Sequence, residues 1–293
     1  MNLGIHFLRA GWRLSIPAFF CFLLAPISFV SAADYSSEKP LEVLKICADP
    51  YMLPYSNKEG EGLENRIAEL FAEKLGTTLQ YEWFPQRMGF IRNTLRAENT
   101  NGGCCKCDLV LSIPSGFELA SPTKPYYTSH YVLVYAKGRG LDEVTKPKML
   151  RDVVMNGKDI NIGLSDMGPA QLWVFENDLM QYATPYQSQL GDARANHVDI
   201  LIRDLIEGKI DVTIVWGPMA GYFAKKYSDE AELVMLRMTD DPTEPSMKFQ
   251  YSISMGVRYG EPEWKAKVNQ LIADNREEIK QILLDYGVPM VVE

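Results

Sequence analysis

"CDLVLSIPSGFELASPTKPYYTSHYVLV", Cys107 to Val134, opens on a short apolar run, passes a polar loop and a Lys-Pro-Tyr-Tyr turn, and closes on a second apolar run. Short apolar runs bounded by Gly and Pro read as buried strands. What precedes the first run decides the architecture. "LEVLKICAD" (41–49) is an apolar strand ending in turn residues. "GLENRIAELFAEKLG" (62–76) then places Leu63, Ile67, Leu70, Phe71 and Leu75 at helical spacing and stops at Gly76. "TTLQYEWF" (77–84) predicts a second strand, "RMGFIRNTLRAE" (87–98) a second helix and "CDLVLSI" (107–113) a third strand. Strands alternating with helices imply a parallel sheet.

"HYVLVYAKGRG" (130–140) changes character, an extended apolar segment running into a polar Gly-rich one, and predicts a passage into a second unit. There "DINIGLSDMGPAQLWVFENDL" (159–179) reads as strand, loop and helix. "HVDILIRDLIEGKIDVTIVWGPMAGYFAKKY" (197–227) reads as helix, strand and helix, and "AELVMLRM" (231–238) as a further strand. A polar loop (239–248) and "QYSISMGVRYG" (250–260) lead to "EPEWKAKVNQLIADNREEIKQILLDYG" (261–287), whose helical period belongs against the first unit. The expected fold is α/β, a two-lobed clamshell with two interdomain crossings: 33–134 with 239–293 as lobe 1, and 135–238 as lobe 2. Ligands of open α/β sheets sit beyond the carboxyl ends of the strands, which places the site between the lobes.

Residues 1–32, with Arg9 and Arg13 ahead of an apolar run from Ile16 to Val30, read as a cleaved secretory signal peptide. Pro17 and Pro26 interrupt the run, and it is shorter than a spanning helix needs, so no stable membrane anchor is expected. Cleavage removes two arginines and no acid, moving the net charge from −8 to −10. That excess of acid argues against nucleic acid as a partner. Export also makes disulfides plausible among the disulfide candidates Cys47, Cys104, Cys105 and Cys107. Cys104 and Cys107 have CxxC spacing, but Asp108 stands where haem attachment needs His. If the first and third strands pair side by side, Cys47 and Cys107 fall near opposite strand ends, about 15 Å apart at ~3.3 Å per residue. This argues against a bridge between them, and the connectivity stays open. His130 and His197 have no metal-ligand spacing, so neither metal site nor catalytic set is expected.

The order of these segments resembles the type II periplasmic solute-binding proteins over nearly the whole mature chain, through "CADPYMLPYSNKEGEGLENRIAELFAEKLG", "PTKPYYTSHYVLV" and "GKIDVTIVWGPMAGYF". In amino-acid-binding members, the resemblance implies an Arg after the third strand for the ligand carboxylate and an acid in the second lobe for its ammonium. Neither is present: the loop 113–120 has no Arg, and Val215, Trp216 and Gly217 fill the place of the acid. A zwitterion there would lose its hydration without compensating charge. Aromatic residues near strand ends replace the anchors. The expected binding cleft is Tyr51, Tyr55, Trp83, Arg87, Tyr126, Tyr127, Trp216 and Tyr222.

Seven pieces in order, "CADPYMLPYSN", "YEWFPQRMGFIRNTL", "CDLVLSIPSG", "KPYYTSHYVLVY", "IDVTIVWGPMAGYF", "SMGVRYG" and "LLDYGVPMV", are together similar to the J-type accessory proteins (MxaJ/XoxJ) of quinoprotein alcohol dehydrogenases. The resemblance implies a periplasmic, non-catalytic protein that binds a PQQ-dependent methanol dehydrogenase and supports its maturation or activation. The c-type cytochrome of that system is a second partner it implies. No cofactor is expected in this chain, PQQ and metal belonging to the partner enzyme. The alternative is a transporter's solute-binding protein for an uncharged or aromatic small molecule. An enzyme is the least supported class, since Glu118 is the lone acid near the missing Arg and has no evident partner base.

Overall fold

The computed structural model describes residues 41–99, 102–166 and 168–291. The expected signal peptide lies outside them. The first unit starts as read, with β1 (Val43–Ala48), α1 (Leu63–Leu75), β4 (Thr78–Trp83) and β5 (Leu109–Pro114). A two-stranded hairpin, β2 (Tyr51–Met52) and β3 (Ser56–Asn57), occupies what reads as a Pro-rich loop. β1 pairs in parallel with both β4 and β5. Period-two alternation sends Leu44, Ile46 and Ala48 into the core under α1, and turns Cys47 to the opposite face with Phe90, Ile91, Cys107, Val110 and Ile113. Both faces of the sheet are therefore covered, as parallel strands require.

The second helix is a single turn, α2 (Phe90–Asn93), rather than the three turns its spacing predicts. Side chains compete for its carbonyls: Asn93 Nδ2 donates to Gly89 O at 2.9 Å and Thr94 Oγ1 to Phe90 O at 2.7 Å. Such local bonds offer the backbone an alternative to helix.

After β6 (Ser121–Pro122), the long β7 (Tyr127–Ala136) serves two groups of strands. Tyr127–His130 pair with β12 (Gln250–Val257), whereas Tyr131–Tyr135 pair with β10 (Val212–Trp216) and, on the other side, Val132–Ala136 pair with β11 (Leu233–Arg237). The strand order is β4-β1-β5-β12-β7-β10-β8-β9, with β8 (Ile162–Ser165) and β9 (Ala183–Tyr186) parallel at the far edge. Pro185 within β9 fits an edge strand. The helices of this second group are α3 (Met149–Met155), α4 (Ala170–Glu176), α5 (His197–Glu207) and α6 (Gly217–Lys226). They bury two further cores, one around Leu133, Ile162 and Ile214, the other around Val134, Leu201 and Phe223. The C-terminal helical run is broken at buried Asn275 into α7 (Pro262–Asp274) and α8 (Arg276–Asp285), because Asn275 Nδ2 donates to Leu271 O at 2.8 Å.

The expectation against a Cys47–Cys107 bridge is overturned. The two are disulfide-bonded with Cα atoms 5.4 Å apart, inside the usual range. The physical reason is stagger. β5 starts opposite the end of β1, with Ile46 beside Leu109 and Cys47 beside Val110, so Cys107 falls back next to Cys47. Closing a loop with a sequence separation of 60 residues typically stabilises a fold by about 2–4 kcal/mol. Cys104 and Cys105 are joined to each other.

The two strand groups also meet behind the sheet. Gly221 on α6 faces Gly287 after α8 so closely that a methyl on Gly221 would overlap the Gly287 carbonyl. Lys225 Nζ donates to Asp285 O at 2.7 Å, Tyr222 stacks on Tyr286, and Ser129 Oγ donates to Pro289 O at 2.6 Å. Gly221→Ala is accordingly expected to lower stability in urea unfolding by about 1–3 kcal/mol, because the obstacle is backbone that cannot turn aside. Gly191→Ala, whose Cβ meets open space, is expected to be neutral.

Candidate functional site

Trp216 ends β10 and starts α6. Its backbone pairs with Tyr131 of β7, so its indole projects where β7 passes from one strand group to the other. There it meets Tyr131 at 5.3 Å and Tyr251 at 5.9 Å between ring centroids, in edge-on arrangements that aromatic quadrupoles favour. Across the gap stands Tyr55, in the hairpin between β2 and β3. The first turn of α1 holds this hairpin through its own unpaired donors: Leu63 N donates to Pro54 O at 2.7 Å and Glu64 N to Tyr55 O at 2.8 Å. Gly62 is required at this approach, since any Cβ would collide with the Tyr55 carbonyl. Trp216 Nε1 then donates to Tyr55 Oη at 2.8 Å.

Two further bonds cross the same gap. Asn196 Nδ2 donates to Leu53 O at 2.7 Å, and Arg87 Nη2 donates to Leu190 O at 2.7 Å. Arg87 is presented by a loop that buried Asp49 fixes, its carboxylate accepting from Gln86 N and Tyr51 N. Burial raises the pKa of Asp49, and those two backbone bonds oppose the rise.

Behind these three bonds lies a cavity of about 440 Å³, within the range of small-molecule sites. One wall carries Met52, Tyr55, Gln86, Ser112, Pro114, Tyr127 and Ile253. The other carries Ser165, Ser188, Gln189, His197, Val198, Ile214 and Met219, with Tyr131, Trp216 and Tyr251 as the floor. No Lys, Arg, Asp or Glu is among the lining residues. Burial lowers the pKa of His197, with Asp166 opposing, and pushes the Tyr131 hydroxyl up to about 12. The cavity is thus aromatic and polar but neutral. It can hold an uncharged or apolar group through ring contacts and hydroxyl or amide bonds.

Of the expected cleft residues, Tyr55, Tyr127 and Trp216 line this cavity and the others do not. Tyr126 packs edge-on against Tyr127, 4.9 Å between ring centroids, and its hydroxyl sits 3.2 Å from Ser112 Oγ. Trp83 shares a face of β4 with Tyr81, on which it stacks at 4.6 Å against the core. Tyr222 lies at the contact of α6 with Tyr286, and Tyr51 is 39% exposed. Arg87 bridges the mouth rather than lining the interior. The sequence reading missed Tyr131 and Tyr251, which the two passages between strand groups could have signalled. It also missed His197, at the start of α5.

It missed Glu64 as well. Only 6% exposed, this carboxyl sits beside Tyr55, Ser112, Tyr126 and Tyr127. Burial raises its pKa to about 7, while Ser112, through its hydroxyl and main-chain N–H, pulls the other way. Among the described residues, no group of three His, Cys, Asp or Glu side chains could hold a metal ion. No described helix is long and apolar enough to cross a membrane.

No protein-family model matches the chain. It is 25% identical over 260 residues to protein MoxJ of Paracoccus denitrificans, spanning 85% of this chain and 89% of that one. The crystal structure of periplasmic binding protein XoxJ from Methylobacterium extorquens AM1 superposes with a TM-score of 0.67 at 30% identity, over 85% of this chain and 100% of XoxJ. The crystal structure of MxaJ from Methlophaga aminisulfidivorans MPT has the same fold, with a TM-score of 0.68 at 23% identity over 85% of this chain and 100% of that one.

Glu64 makes stability depend on pH. A raised folded-state pKa means that the folded chain binds more protons than the unfolded chain between about 4.5 and about 7. Stability is therefore full below about 4.5 and falls as pH rises through about 7, by up to about 3 kcal/mol. His130 and His197, with lowered pKa values, act in the opposite sense. The check compares parent with Glu64→Gln in urea unfolding at pH 5 and pH 8: the variant is expected to gain stability relative to the parent at pH 8. A parent-to-variant difference that stays constant with pH would contradict this.

Proposed function

The chain belongs to the MxaJ/XoxJ family of type II periplasmic binding proteins, and on that premise we propose that it is a non-catalytic periplasmic accessory protein of methanol oxidation. It binds a PQQ-dependent methanol dehydrogenase and supports that enzyme's maturation or activation. PQQ and its metal belong to the dehydrogenase, and the system's c-type cytochrome is a second candidate partner. The lobes are 33–134 with 239–293, and 135–238.

The observation that carries this reading is the neutral aromatic cavity between the strand groups. A free amino acid would bring two charges into a space whose walls carry none, at a cost of several kcal/mol. An apolar or aromatic side chain on a partner's segment brings no such penalty, and buried aromatic rings are where interface energy concentrates. The bonds from Trp216, Asn196 and Arg87 close the mouth, so a partner's segment binds an opened form whose re-closure clasps it.

Calorimetric titration of the mature chain with purified PQQ-dependent methanol dehydrogenase tests the reading. Trp216→Ala is expected to weaken the complex by about 2 kcal/mol, roughly thirtyfold. Unchanged affinity would remove the cavity from the interface. If no enzyme binds and an uncharged aromatic compound raises the melting temperature instead, the cavity is a solute receptor's.

A further inference from the structure

A second cavity, of about 720 Å³, lies on the outer side of β5, between the single-turn α2 and the loop after Pro114. Its apolar surface comes from Met88, Phe90, Ile113, Phe117 and Leu119. Met88 is 91% exposed and Leu119 51% exposed, values a folded chain seldom gives to large apolar side chains grouped around one groove. Its polar rim is one-signed. Arg87, Arg92 and Arg96 all line it, on a chain whose net charge is −8. Arg87 is bonded to a backbone carbonyl, and Arg92 and Arg96 form no ion pair among the described residues. Glu118 is the single acid in the neighbouring loop, and it is not among the lining residues. The motif "WFPQRMGFIRNTL" thus folds into a structure that presents guanidinium groups around an apolar trough.

We propose that this groove is a docking site for an acidic polypeptide segment of a protein partner, a segment that also carries a bulky apolar side chain. Carboxylates pair with Arg92 and Arg96 in the forked geometry that guanidinium favours, and the apolar side chain covers Phe117 and Leu119. Charge complementarity selects the partner: elsewhere the acidic surface repels such a segment, and here it is drawn in. The groove adjoins the neutral cavity along Gln86, Ser112 and Pro114, but its arginines and its exposed apolar side chains line the groove alone. The inference does not depend on what fills the neutral cavity.

The test is fluorescence anisotropy of the mature chain with three short labelled peptides at an ionic strength of about 10 mM, where charges act over about 30 Å. One peptide is Glu-rich with a Phe and a Leu, one replaces every Glu with Lys, and one is Glu alone. The Glu-rich apolar peptide is expected to bind at least about tenfold more tightly than the other two, and to weaken with added salt. Arg92→Glu with Arg96→Glu is expected to weaken it at least about tenfold, and Met88→Glu, at the most exposed apolar position, to weaken it independently. Trp216→Ala is expected to leave it unchanged. Absence of binding, equal binding of the Lys peptide, or full affinity in both groove variants would overturn the proposal. Loss with Trp216→Ala alone would place the peptide in the neutral cavity and overturn it too.

Discussion

One strand carries two sheets. β7 gives its first four residues to β12 and its remainder to β10 and β11, so the handover between His130 and Tyr131 fixes where the strand groups meet. Because β10 runs antiparallel to β7 from Tyr131 onward, its last residue, Trp216, must sit at that handover. Tyr251 of β12 stands within ring contact of both. The aromatic floor of the cavity is thus a consequence of ladder register, and its walls borrow Tyr127 and Ile253 from one core and Val198 and Met219 from another. The contact of Gly221 with Gly287 and the bond from Ser129 to Pro289 fix the same junction from behind.

The electrostatic character follows from what the walls lack. Neutral hydroxyls, amides and rings face the cavity, and His197 is biased toward its neutral form. Three acids close to it are spent on structure: Asp49 secures the Gln86–Arg87 loop, Asp166 accepts from Ser188 N, and Glu64 is buried behind Ser112 at a raised pKa. A site of this kind selects by shape and ring contact rather than by ion pairing. The positive rim of the adjoining groove offers the opposite selectivity.

Much of this was legible in the sequence. The β-α alternation through 41–113 and 159–227 sets the architecture, because apolar periods of two and 3.6 leave little choice of element. Trp216 and Tyr55 were legible because they follow apolar runs that end at the site. Trp83 and Tyr126 fall outside the cavity through tertiary packing that sequence does not fix: Trp83 stacks on Tyr81 against the core, and Tyr126 packs edge-on against Tyr127 with its hydroxyl at Ser112. The bridge between Cys47 and Cys107 was missed because strand stagger, rather than strand order, brings these residues together. Glu64 sits in the first turn of a helix, where acids are ordinary; its burial comes from the Tyr55 hairpin folding over it, a tertiary fact with no local signature.

We propose that the neutral aromatic cavity clasps a partner protein. Hydrogen exchange of the mature chain, alone and with purified PQQ-dependent methanol dehydrogenase, tests it most directly, since it reads amide protection along the whole chain. Added protection is expected in segments spanning 52–56, 187–198 and 214–219, which carry parts of both walls and Trp216 of the floor. Protection confined to the outer helices α3, α7 and α8, with these three segments unchanged, would contradict it.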